Sequence, residues 1–225
     1  MTARTKRYIA VVSVVGLPVA ALAVLALHIE DLHKFLTYLT LAMLASAFKV
    51  KLPKIPGTYS LGFLLVLLGI AGLSLAETIF LACCSAVIQS FWRAKTRPTA
   101  PQMGFNLAVV SISVAVCYGV AQFAVPSMRP LMLAWASAVY YTVNTGLVAG
   151  VISRLESRPF LEVWQHWLMW TVPYYLVGAA TAALMQAYDP VSGWQVSLLA
   201  LPMTLLVFLC YRQTVGWMGR KIPVD

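Results

Sequence analysis

Apolar residues along this chain neither alternate nor recur as one narrow stripe. They come in long runs, broken by short connections that carry proline, glycine and charge. Eight runs stand out, at 8–27, 32–48, 59–75, 76–92, 102–125, 129–153, 165–188 and 194–218. Connections such as KVKLPKIPG, RAKTRPTAP, VPSMRP, SRLESRP and DPVSG are built from residues that end helices. A run of about 17–25 apolar residues carries a helix across a ~30 Å hydrocarbon core. The alternating ten-residue segments of a transmembrane barrel do not occur. The pattern predicts an all-α fold: a polytopic integral membrane helix bundle of about eight transmembrane helices, forming one domain over 1–225. Runs three and four are the shortest and almost touch, so a re-entrant hairpin is the alternative to two full spans.

Composition agrees with the pattern. Hydrophobic residues make up 61% of the chain and charged residues 10%, where a soluble domain carries about 25% charge. Mean hydropathy is +0.83. A net charge of +9 could point to nucleic acid, but the charges form no basic face. They cluster between the apolar runs, which makes the lipid bilayer the partner and excludes a nucleic-acid binder. With eight spans and a cytoplasmic N-terminus, Arg4, Lys6, Arg7, Lys49, Lys51, Lys54, Arg93, Lys95, Arg97, Arg154, Arg158, Arg212, Arg220 and Lys221 fall inside. Only Lys34 and Arg129 fall outside, a split of 14 to 2 among the 16 Lys and Arg. A multi-pass protein of the cell (inner) membrane with both termini cytoplasmic is expected. The opening MTARTKRYIAVVSVVGLPVAALAVLAL resembles a signal peptide, but its apolar run is too long and no small-x-small site precedes His28. It is expected to stay as the first helix. Trp92, Trp164, Trp167, Trp194 and Trp217 lie near run ends, where indoles favour the interface. SRLESRPFLEVWQHW is expected to be an amphipathic loop on the cytoplasmic surface.

Candidate chemistry is sparse. Cys83, Cys84, Cys117 and Cys210 lie inside apolar runs with no CxxC and no neighbouring histidine, as packing thiols do. His28 and His33 flank Glu30 and Asp31 in HIEDLH, a stretch that reads as a solvated loop more readily than as a metal or pH-sensing site. No HExxH, paired catalytic carboxylates, Ser/His/Asp or Cys/His arrangement is visible. No catalytic residue, metal or cofactor is therefore assigned, and an enzyme is not expected. Pro53, Pro56 and Gly57 give a turn, and Thr58 or Ser60 would cap the third helix, either as a plain helix start or as an anion site. Gly62, Gly69 and Gly72 share a helical face, as do Ala82, Ser85, Ala86 and Gln89 on the fourth, which predicts close packing between the two. Glu77 stands at the start of the fourth helix, where the dipole favours it and where a ligand or proton could meet it. Tyr140, Tyr141 and Asn144 on the sixth helix, Tyr174 and Tyr175 beside Pro173 on the seventh, and Asn106 and Gln122 on the fifth are uncharged polar groups near mid-membrane. They pair between helices or line a pocket for a small, mostly apolar ligand. The candidate ligand site is thus Tyr140, Tyr141, Asn144, Tyr174, Tyr175, Asn106 and Glu77.

The stretches PGTYSLGFLLVLLGIAGLSLAE, RAKTRP, FLEVWQHWLMW, PYYLVGAA and GWQVSLLALPMTLLVFLCYR together resemble the N-terminal multi-helix membrane region of bacterial HD-GYP and GGDEF signalling proteins. The resemblance spans 49–212. It implies an input module whose last helix leads into the cytoplasm, and it supplies neither ligand nor catalytic residues. No HD or GGDEF motif occurs in this sequence, so the output would come from a separate protein or a homo-oligomeric arrangement. Three classes remain: a non-enzymatic sensor or ligand-binding module, a small-molecule transporter or its substrate-binding subunit, and a lipid-acting enzyme that lacks visible machinery.

Overall fold

The computed structural model describes residues 2–51, 58–60, 62–94, 96–123 and 129–192, with isolated positions at 202, 205, 209 and 213. The rest of the eighth run, Cys210, Gln122's side chain and the lysine at 54 thus lie outside the described residues. Among the described residues, seven helices and one hairpin follow in order: α1 Ala3–Leu25, α2 Leu32–Ala47, β1 Lys49–Lys51, β2 Thr58–Ser60, α3 Gly62–Gly72, α4 Leu75–Phe91, α5 Ala100–Phe123, α6 Arg129–Glu156 and α7 Phe160–Ser192.

Local chemistry sets the helix starts. Thr2 accepts from the Thr5 N–H at α1, and Asp31 accepts from the Lys34 N–H at α2. Ser74 and Glu77 form a reciprocal capping box at α4. α6 ends where Ser157 turns into the left-handed region at φ 55°. The Arg158 N–H then bonds back to the Ser153 carbonyl at 3.1 Å, the six-to-one closure of a Schellman end, with serine in the place glycine usually takes.

The structure changes two expectations. The third run was read as helix from 59, yet α3 begins at Gly62 and is 11 residues long, about 16 Å at 1.5 Å per residue. It is preceded by a two-stranded antiparallel ribbon pairing Lys49 with Ser60, Val50 with Tyr59 and Lys51 with Thr58. Branched and aromatic residues suit a strand there. The segment is an extended lead-in to a half-length helix rather than a full helical span. The second correction concerns SRLESRPFLEVWQHW. Only Ser157–Pro159 separate α6 from α7, and FLEVW already belongs to the helix. Glu162 complements the helix dipole in the first turn, and Arg158 bridges to it at 2.5 Å. That hydrogen bond, with Glu156 behind it, raises the Arg158 pKa above its ordinary value.

The half-length helix is the centre of the bundle. Every residue of α3 from Gly62 to Ile70 is buried, and α2, α4, α5, α6 and α7 all pack against it. Its glycines make this possible. A Cβ on Gly69 would meet the Thr78 side chain at 3.1 Å, and one on Gly62 would meet Ser46 Oγ at 2.5 Å and Ser85 Cβ at 3.6 Å. α3 and α4 therefore run antiparallel at close range, as the small-residue faces predict. Gly16 does the same for α1, lying directly on the Ala108 backbone of α5.

The outer surface is apolar. Val14 is 72% exposed and Leu25 83%, and Leu22, Leu44, Val116, Trp135 and Leu176 also face outward. Two described helices, α1 and α5, are long and apolar enough to cross a membrane; α3 and α4 are apolar but shorter. The bundle has two distinct ends. At the hairpin end Thr5 bonds to the Arg154 carbonyl, Ser60 to Gln89, and Asn106 to Ser90. At the opposite end Tyr118 bonds to the Leu73 carbonyl.

Candidate functional site

Tyrosines on α6 and α7 meet the buried helix. Phe63, in the first turn of α3, lies with its ring centroid 4.2 Å from Tyr175 and 5.3 Å from Tyr140. Tyr141 meets Tyr175 edge-on at 4.6 Å. All four rings are buried. Aromatic pairs at these separations contribute about 0.5–1.5 kcal/mol each beyond their burial. The ring of Phe63 reaches this place because α7 presents Gly178 to it: a Cβ there would sit 2.9 Å from Phe63 Cε1.

Hydrogen bonds zip the same two helices together. The Tyr141 hydroxyl and Thr171 Oγ1 are 3.0 Å apart. Thr145 donates to the Tyr141 carbonyl at 2.6 Å, and the indole N–H of Trp164 donates to Thr145 Oγ1 at 3.0 Å. The two contacts between the helices, 141 with 171 and 145 with 164, run in opposite directions along α6 and α7, so the pair is antiparallel.

Asn144 differs from its neighbours. It lies at the middle of α6, one turn from Tyr140, and is half-buried. Its carboxamide makes no hydrogen bond among the described residues. The amide is not enclosed by the bundle, so it is open to a partner from outside the chain. The side chains that meet here, Phe63, Tyr140, Tyr141, Thr145 and Tyr175, are all uncharged.

The other expected site residues are placed elsewhere. Asn106 donates to Ser90 Oγ at 3.2 Å near the hairpin end. Glu77 is buried at the opposite end, in the capping box of α4. The side chain of Tyr174 lies outside the described residues. Tyr140, Tyr141 and Tyr175 converge and Asn144 adjoins them; Asn106 and Glu77 do not. Phe63, Thr145, Trp164 and Thr171 belong to the cluster but were not singled out from the sequence. Thr171 and Tyr175 stand one turn apart on α7, as Tyr141 and Thr145 do on α6, and that matched spacing was the available signal. Phe63 gave none.

The cysteines pack. Cys117 donates to the Ala136 carbonyl at 3.0 Å, and Cys83 lies 3.4 Å from Ser111 Oγ. His28 and His33 are exposed. Comparison with known proteins finds no family model that matches the chain, and no curated protein or solved structure similar to it.

Proposed function

We propose that the chain is a polytopic membrane protein that works as a ligand-responsive input module and signals through a separate partner. The unpaired Asn144 carboxamide beside the tyrosine cluster carries this proposal. A small, mostly apolar molecule with one hydrogen-bonding group would satisfy the amide while lying against the α6 and α7 rings. Phe63 links those rings to a helix buried on every side, so a ligand that moves α6 or α7 acts on the whole bundle. The apolar outer surface supports a multi-pass arrangement. The Arg4, Lys6, Arg7, Lys49, Lys51, Arg93, Arg97, Arg154 and Arg158 positions gather toward the hairpin end, which supports a cytoplasmic hairpin under the positive-inside rule. The resemblance over 49–212 to membrane regions of signalling proteins fits the same role.

The test is a thermal-shift screen of metabolites and lipids on detergent-purified protein. A hit is expected, and Asn144→Leu is expected to abolish its shift without lowering the unliganded melting temperature. A broad screen without any shift, or a shift that Asn144→Leu leaves intact, sinks the proposal. One observation favours a transporter instead: α3 is a half-length buried helix led in by extended backbone, the kind of broken element that transporter sites use. Specific uptake of the same molecule by proteoliposomes supports transport, and binding without flux supports sensing.

A further inference from the structure

At the end of the bundle opposite the hairpin, the start of α4 meets the end of α3. The Ser74 N–H donates to Glu77 Oε2 at 2.8 Å, and the Glu77 N–H donates to Ser74 Oγ at 3.3 Å. That cap uses one carboxylate oxygen. Glu77 is only 2% exposed, and its Oε1 has no hydrogen-bond partner among the described residues. A buried carboxylate oxygen without a donor is costly. Glutamine would make the same cap hydrogen bonds, and the α4 dipole favours the acid's charge, but neither gives Oε1 a partner.

Other oxygens gather at this point. The Tyr118 hydroxyl of α5 donates to the Leu73 carbonyl at 3.3 Å. Glu30 lies in the connection between α1 and α2 at this same end, near enough for its charge, like that of Glu77, to act on that hydroxyl. Glu30 is exposed, Tyr118 half-buried and Glu77 buried, so the oxygens are graded from the surface inward. The carbonyls that end α3 add the negative end of its dipole. Among the described residues neither acid is ion-paired, since the salt bridges there belong to Arg158. Lys34, the near cation in sequence, sits over the Tyr38 ring instead.

We propose that Glu77 Oε1, with the Leu73 carbonyl, the Tyr118 hydroxyl and Glu30 at the entrance, forms a binding site for a single positive charge, an alkali cation or a primary ammonium. A divalent ion asks for a fuller shell of hard ligands, and no group of three or more His, Cys, Asp or Glu comes together among the described residues. Occupancy ties the α1–α2 connection to α4, α5 and the end of α3. The site is separate from the α6–α7 ligand site, and either can fail without the other.

The experiment is thermal unfolding of the full chain in detergent at constant ionic strength, in sodium, potassium or methylammonium chloride. Tetramethylammonium chloride, which is bulky and has no N–H, is the reference. One cation is expected to raise the melting temperature by about 3–6 °C at ten times its dissociation constant, and the salt that does so identifies the source of the charge. Glu77→Gln is expected to keep the reference melting temperature and lose the increment. Ser74→Ala is expected to lower the reference and keep the increment. No cation exceeding tetramethylammonium, or an increment that survives Glu77→Gln, overturns the proposal. Should Glu77→Gln not fold, Glu30→Gln decides: it lies outside the cap, so a several-fold loss of apparent affinity supports the site and an unchanged affinity overturns it.

Discussion

Adding a single methyl group at Gly178 would set α7 against the buried helix at its tightest point. The new Cβ would lie 2.9 Å from Phe63 Cε1 and 3.1 Å from Cδ1, well inside the ~3.5–4.0 Å at which carbon atoms attract. The ring cannot step aside, because Tyr175 and Tyr140 hold it at centroid distances of 4.2 and 5.3 Å. Overpacking of this kind costs about 1–3 kcal/mol. At ~2–4 °C per kcal/mol for a chain of this size, Gly178→Ala should lower the melting temperature by ~2–12 °C. The same change made together with Phe63→Leu should cost little, since the flat ring that meets the methyl is gone. A double-mutant cycle read by thermal unfolding in detergent should therefore give a coupling of about 1–2 kcal/mol. Effects that add to within ~0.5 kcal/mol would show that α7 does not press on Phe63.

Two further perturbations probe the packing around that contact. Tyr141→Phe removes the hydroxyl shared with Thr171 but keeps the ring, and should cost about 0.6 kcal/mol, with ~1.7 as the ceiling seen for interhelical bonds in a bilayer; a larger loss in unfolding assays would mean the hydroxyl has a second role. Gly69→Leu should lower the melting temperature by several degrees, because even its Cβ meets Thr78 at 3.1 Å, whereas Gly119→Leu should leave it unchanged, with nothing within 4 Å.

The limits of α2 and α4 were legible because their start signals are local. The runs at 32–48 and 76–92 agree with Leu32–Ala47 and Leu75–Phe91 to within a residue, since Asp31 and Ser74 supply caps that a reader of sequence can see. The hairpin was not legible. Two three-residue strands hold too few positions for a period to show, and the apolar text of TYSLGF continues smoothly into α3. α7 runs through Pro173, as the single run at 165–188 predicts. At the candidate site, Tyr140, Tyr141 and Tyr175 could be grouped by turn spacing on neighbouring helices. Phe63 could not, because its place depends on which helices enclose α3, a non-local fact. Asn106 was grouped with the tyrosines by residue type alone, and its depth along α5 puts it beside Ser90 instead.

The central claim is a bundle that crosses the membrane with its hairpin end in the cytoplasm. Cysteine-accessibility labelling tests it most directly: single cysteines at Lys34 and Arg97, in a chain with Cys83, Cys84, Cys117 and Cys210 replaced, are exposed to a membrane-impermeant maleimide in intact and permeabilised cells. Position 34 should label in intact cells and position 97 only after permeabilisation. Equal labelling of both from outside, or recovery of the protein in the soluble fraction, would contradict the claim.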